Sequence, residues 1–113
     1  MKIQGPAKLV KIYIGESDHW HGQLLHSAIV EAARQYGLAG ATVTRGVEGF
    51  GANSRIHTSS ILRLSEDLPV KIEIVDLEER IAAFLPVLDE MVTEGMITIQ
   101  DCDVVKYVHG KKA

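Results

Sequence analysis

Apolar and polar positions alternate along residues 8–14, with Val10, Ile12 and Ile14 on one side and Leu9, Lys11 and Tyr13 on the other. A period of two belongs to a half-buried strand, because successive side chains leave opposite faces of the pleat. After the polar run GESDHWHG the period lengthens. Leu25, Ala28, Ile29, Ala32 and Tyr36 fall at i, i+3, i+4, i+7 and i+11, one apolar stripe of a helix that Gly37 is placed to end. Residues 41–45 read as a second strand, 61–64 as a short return strand, and 70–75, with Val70, Ile72 and Ile74 opposite Lys71 and Glu73, as a third.

Asp76 and Glu79 have the spacing of a D-x-x-E capping box, so a second helix is expected to start there. Ile81, Phe84, Leu85, Leu88 and Val92 repeat the helical spacing, and Gly95 is a terminator. Pro86 inside this helix removes an N–H and crowds the carbonyl of Ala82, which predicts a kink there. Residues 96–99 and 104–108 read as two short closing strands. The order is β-α-β, a long excursion, then β-α-β, the split pattern of an α+β ferredoxin-like sandwich. Two helices would cover one sheet face. The other would carry Leu9, Lys11, Tyr13 and Glu73, a mixed surface suited to packing on further copies of the chain.

At 113 residues and 46% hydrophobic content the chain fits a single domain, residues 1–113. The net charge of −3, with dispersed Lys and Arg, supplies no basic field for nucleic acid. The first fourteen residues are interrupted by Lys8 and Lys11, too charged for a signal-peptide core or a membrane span. Cys102 is a lone cysteine, which excludes an intrachain disulfide and fits a reducing compartment. A cytoplasmic protein is expected.

Candidate chemistry concentrates in ATVTRGVEGFG, residues 41–51. Gly46, Gly49 and Gly51 follow Arg45, and two readings stand: a flexible turn, or a nest of backbone N–H groups that receives an anion. The spacing reverses the Rossmann fingerprint, and no Gly-Lys-Ser or Gly-Lys-Thr completes a P-loop. Arg45, Arg55, Arg63 and His57 supply positive charge, either for bidentate contact with a phosphate or for ion pairs with Glu48, Glu66 or Asp67. Phe50 is the one large apolar group of the loop, placed to stack on a base, dock on a neighbouring subunit or anchor the loop in the core. Arg45, Gly46, Glu48, Gly49, Phe50, Gly51, Arg55 and His57 are therefore the candidate ligand-binding residues. His19, His21 and His26, near Glu16 and Asp18, form an alternative metal set that lacks the spacing of a four-ligand zinc site. No nucleophile elbow and no H-E-x-x-H is present, so no enzyme is expected.

The split order, the long loop between strands two and three, the run GLAGATVTRGVEGFG at 37–51 and SEDLPVKIEIVD at 65–76 together resemble the PII-like proteins. More narrowly they resemble the bacterial and archaeal branch designated domain of unknown function 190, over nearly the full chain. The resemblance implies a homotrimer with ligand clefts between subunits, and makes residues 46–59 the counterpart of the mobile loop by which PII proteins engage protein targets. It implies an adenine nucleotide, ATP, ADP or AMP, as the candidate ligand, bound at the loop base that maps onto Arg45 and Gly46. Residues 93–101 depart from the lysine-bearing glycine-rich segment of PII proteins, since TEGMITIQD holds Gly95 alone and no lysine. Residues 46–59 contain no tyrosine, which excludes tyrosine modification of that loop. A metal-binding trimer of the copper-tolerance kind and an interaction module without ligand are the alternatives.

Overall fold

The computed structural model describes residues 2–51, 57–58 and 68–109, with backbone pairing only for 57–58. The elements run β1 (Lys2–Gly15), β2 (His19–Trp20), β3 (Gln23–Leu24), α1 (Leu25–Gln35), β4 (Thr42–Arg45), β5 (Glu48–Gly49), β6 (His57–Thr58), β7 (Pro69–Asp76), α2 (Glu78–Met91) and β8 (Met96–Val108). Four of the strands form one antiparallel sheet in the order β4-β7-β1-β8. This is the ferredoxin-like order, in which each β-α-β half places its strands one apart so that the other half fills the gap.

The register separates the two faces. Val10, Ile12 and Ile14 stand opposite Ile74, Ile72 and Val70, and all six are buried with Leu25, Ala28, Ile29 and Ala33 of α1 and Ile81, Phe84, Leu88 and Met91 of α2. Leu9, Lys11 and Tyr13 line up with Val75, Glu73 and Lys71 of β7 and with Gln100, Thr98 and Met96 of β8. Alternation puts these on the face without helices, so the mixed surface expected from the pattern is present as an open sheet face.

Two boundaries differ from the sequence reading. First, β1 is fourteen residues long, and β8 is one strand of thirteen rather than two short pieces. Residues 2–7 continue as a ribbon paired with β8 past the end of β7, with a bulge at Gly5, whose φ is +98°. Ile3 and Ala7 of β1 are buried in this region, whereas Gln100, Asp101 and Asp103 of the edge strand β8 are exposed, so QDCD carries no apolar alternation. Second, Leu77, not Asp76, is the N-cap of α2, and no side chain caps the helix. The fully buried Asp76 carboxylate instead accepts from the N–H of Leu77 at 2.7 Å and of Ala39 at 2.9 Å, and Arg80 Nε lies 3.1 Å away. Arg80 also donates to the Gly37 carbonyl, and the Tyr107 hydroxyl donates to the Ala39 carbonyl at 2.9 Å. The turn before β4 is thus tied to both α2 and β8. As the sequence places it, Pro86 lies inside α2, which runs through it as a single element.

α1 ends as expected. Gly37, at φ +74°, donates to the Arg34 carbonyl and Leu38 to that of Ala33, the paired bonds of a Schellman motif. Tyr36 is half exposed instead of closing the buried stripe, and its ring meets Phe84 edge-on at 5.3 Å. The return strand expected at 61–64 lies outside the described residues. Among the described residues no helix is long and apolar enough to cross a membrane.

Candidate functional site

Three chain segments converge where β1 and β4 end and β7 begins. β4 is an edge strand of the main sheet, and Arg45, its last residue, pairs with Val70 near the start of β7. Backbone bonds lock the segments together: Glu16 N–H donates to the Leu68 carbonyl at 2.8 Å and Gly46 N–H to the Pro69 carbonyl at 2.7 Å. Side chains close the ring, since Arg45 Nε lies 3.0 Å from Glu16 Oε2. The Arg45 side chain is 58% exposed, so its charge is presented to solvent at the sheet edge.

The glycines have a different task from the one a nest requires. None of Gly46, Gly49 and Gly51 adopts positive φ, and the Gly46 N–H is already satisfied by Pro69. A Cβ at Gly46 would stand 3.1 Å from Pro69 Cγ and 3.2 Å from Pro69 O, and one at Gly49 3.1 Å from Pro69 Cγ. Gly46 and Gly49 therefore admit close approach of the loop base to Pro69, without the left-handed backbone of a nest. Glu48 and Gly49 pair with Thr58 and His57 in a small hairpin. Val47 and Phe50 stand exposed on it, which removes core anchoring as the role of Phe50. Arg55, Arg63 and the His57 side chain lie outside the described residues.

The histidine run is a hairpin, not an irregular loop. His19 pairs with Leu24 and Trp20 with Gln23, and both turn residues have positive φ, His21 at +49° and Gly22 at +84°. These are the angles of a type I′ turn, which Gly in its second position favours. The His21 ring stacks on Trp20 at 4.0 Å, and His26 Nδ1 is 3.5 Å from Ser27 Oγ. Among the described residues no three His, Cys, Asp or Glu side chains are placed to hold a metal ion.

A cleft of about 460 Å³ lies elsewhere, lined by Pro6, Ala7, Lys8, Glu78, Asp101, Cys102 and Asp103. It sits beyond the end of β7 opposite to Arg45, roughly 23 Å along the strand, and none of the candidate residues lines it. Lys8 pairs there with Asp101, whose hydrogen bond holds the ammonium above its ordinary value. Cys102 is a half-buried free thiol in its wall. Glu16 is the residue that sequence patterning does not bring to the Arg45 site: the chain sets it beside the histidines, and a pairing across twenty-nine positions of sequence leaves no periodic trace.

Structural comparison places this architecture among PII-like folds. A putative PII-like signalling protein of Thermus thermophilus superposes with a TM-score of 0.63 at 23% identity, covering 89% of this chain and 91% of that one. CPII of Thiomonas intermedia K12, a nitrogen regulatory PII-like protein in a structure bound to ADP, AMP and bicarbonate, gives 0.60 at 17%, covering 88% of each chain. CutA of Synechococcus elongatus PCC7942 gives 0.57 at 10%, covering 96% and 90%. In sequence, a UPF0166 protein of Methanocaldococcus jannaschii is 43% identical over 101 residues, 88% of this chain and 93% of its own length. A UPF0166 protein of Aquifex aeolicus is 35% identical over 98 residues, 87% and 92% of the two chains. The model of one family, DUF190, described as "Uncharacterized ACR", matches residues 7–104, almost the whole described sheet and both helices. The chain belongs to the DUF190 family and has a PII-like, ferredoxin-like fold.

Proposed function

We propose that this chain is a PII-like ligand-sensing protein. Three copies form a closed ring and bind a small anionic metabolite, with an adenine nucleotide as the leading candidate, in the clefts between subunits. Residues 46–59 then carry the bound state to a protein target, and the protein works as a cytoplasmic regulator, not as an enzyme. The observation that carries this reading is Arg45: an exposed guanidinium at the tip of an edge strand, positioned by the β7 backbone and next to the loop base. The guanidinium is a planar fork of N–H donors suited to phosphate or carboxylate, and in the unliganded chain it faces Glu16 through Nε. The open sheet face gives a small one-layer domain a motive to associate, and CPII, of like fold, is described with ADP and AMP bound.

The metal reading rests on CutA having a similar fold and on three histidines that do not converge with other ligands among the described residues. A thermal-shift screen of ATP, ADP, AMP and divalent metals on wild type, Arg45→Ala and His21→Ala separates the readings, because a ligand selective for the folded state raises its stability by mass action. The expected result is a rise with an adenine nucleotide that disappears in Arg45→Ala and persists in His21→Ala. No rise with any nucleotide up to millimolar concentration sinks the nucleotide reading, and a metal-induced rise lost in His21→Ala favours the metal-binding one.

A further inference from the structure

Glu16 has a second role at the Arg45 site, and the argument for it rests on the reading of Arg45 as the anion-binding group. An anion arriving at the guanidinium does not meet an empty cation: Glu16 Oε2 already lies 3.0 Å from Arg45 Nε. The Glu16 backbone is fixed by its N–H bond to Leu68, and Arg45 by its pairing with Val70, so the two side chains are held close by the fold rather than by each other. We infer that Glu16 is an internal competitor for the anion site, an affinity-setting residue whose carboxylate occupies Arg45 in the unliganded protein and is displaced by the ligand. The pair is solvent-exposed, 58% on Arg45 and 32% on Glu16, which keeps it weak enough to be exchanged. A fold that populates a self-occupied state binds its ligand more weakly by the fraction of time the site is open.

Because Glu16 N–H and Gly46 N–H bond to the consecutive carbonyls of Leu68 and Pro69, ligand exchange at Arg45 acts on a closed ring joining the end of β1, the loop base and the start of β7. Displacing Glu16 releases one side of that ring.

The test measures binding of ADP and of inorganic phosphate to the full-length wild type, Glu16→Gln and Glu16→Asp by calorimetry, and follows the Glu16 carboxyl carbon by NMR. Gln keeps the backbone bond to Leu68 and the side-chain shape, and Asp is a second variant that keeps the charge on a shorter arm. The expected result is an affinity for ADP about two- to fivefold higher in Glu16→Gln, with Asp intermediate, the size an exposed ion pair allows. The Glu16 carboxyl signal of ADP-saturated wild type should move to its position in unliganded Arg45→Ala, where the pair cannot form. Unchanged or weaker binding in Glu16→Gln, or a gain without movement of the carboxyl signal, overturns the inference while leaving the site intact. Failure of wild type to bind either probe overturns the reading of the site and this inference with it.

Discussion

A methyl group added at Gly95 would stand 2.5 Å from the Tyr13 carbonyl oxygen and 3.1 Å from Ile14 Cγ2, at a backbone φ of +148°. Strain and overpacking both act there, so Gly95→Ala is expected to lower stability by roughly 2–5 kcal/mol in urea unfolding; a change below about 0.5 kcal/mol would show that the turn is not held against β1. Asp76 is the other single position on which much depends. Its buried carboxylate fixes the Ala39 and Leu77 amides and stands beside Arg80, so Asp76→Ala should cost about 2–4 kcal/mol, and Tyr107→Phe, which removes one hydrogen bond, about 0.5–1.5 kcal/mol. These residues show which information local patterning carries. Gly95 is readable as a terminator because glycine after a helical stripe has a conformational meaning. Asp76 is readable as a helix-start residue, but its true partner, Ala39, is thirty-seven positions away. The pairing of Arg45 with Glu16 is hidden for the same reason, and Gly46 and Gly49 serve contact with Pro69 and not a left-handed backbone.

Among the elements, those with a buried face follow their periodicity. β7 alternates half-buried and buried along all eight residues, as Val70, Ile72 and Ile74 predict, and α1 and α2 bury most of their stripes. Patterning misses the extension of β1 and β8, where the edge strand β8 is exposed at Gln100, Asp101 and Asp103, and the β2–β3 hairpin, whose polar composition reads as loop. α2 carries a testable cost. Pro86 is an exposed residue inside the helix with no N–H to donate, so Pro86→Ala should raise stability by roughly 1–3 kcal/mol in the same unfolding assay. A destabilised Ala variant would mean that the proline ring makes packing contacts that outweigh the lost hydrogen bond.

At the level of the assembled protein, the open face of the sheet and the exposed Arg45 are two parts of one proposal. Tyr13, 37% exposed, and Met96, 59% exposed, stand side by side on that face beside Lys11 and Thr98. If the face packs on other copies, Tyr13→Lys should shift sedimentation toward the single chain while the fold, read by circular dichroism, persists; an unchanged coefficient would place the contacts elsewhere. Family and fold follow from the full-length likeness, whereas ligand and assembly depend on geometry that only a complex can complete. Sedimentation of the wild-type protein in the presence of ADP, with nucleotide absorbance followed in the same boundary, joins both halves most directly. The proposal predicts a species of three chains that carries up to one ADP per chain, and loss of the nucleotide but not of the trimer in Arg45→Ala. A single-chain species, or a trimer that sediments without ADP at millimolar concentration, would contradict it.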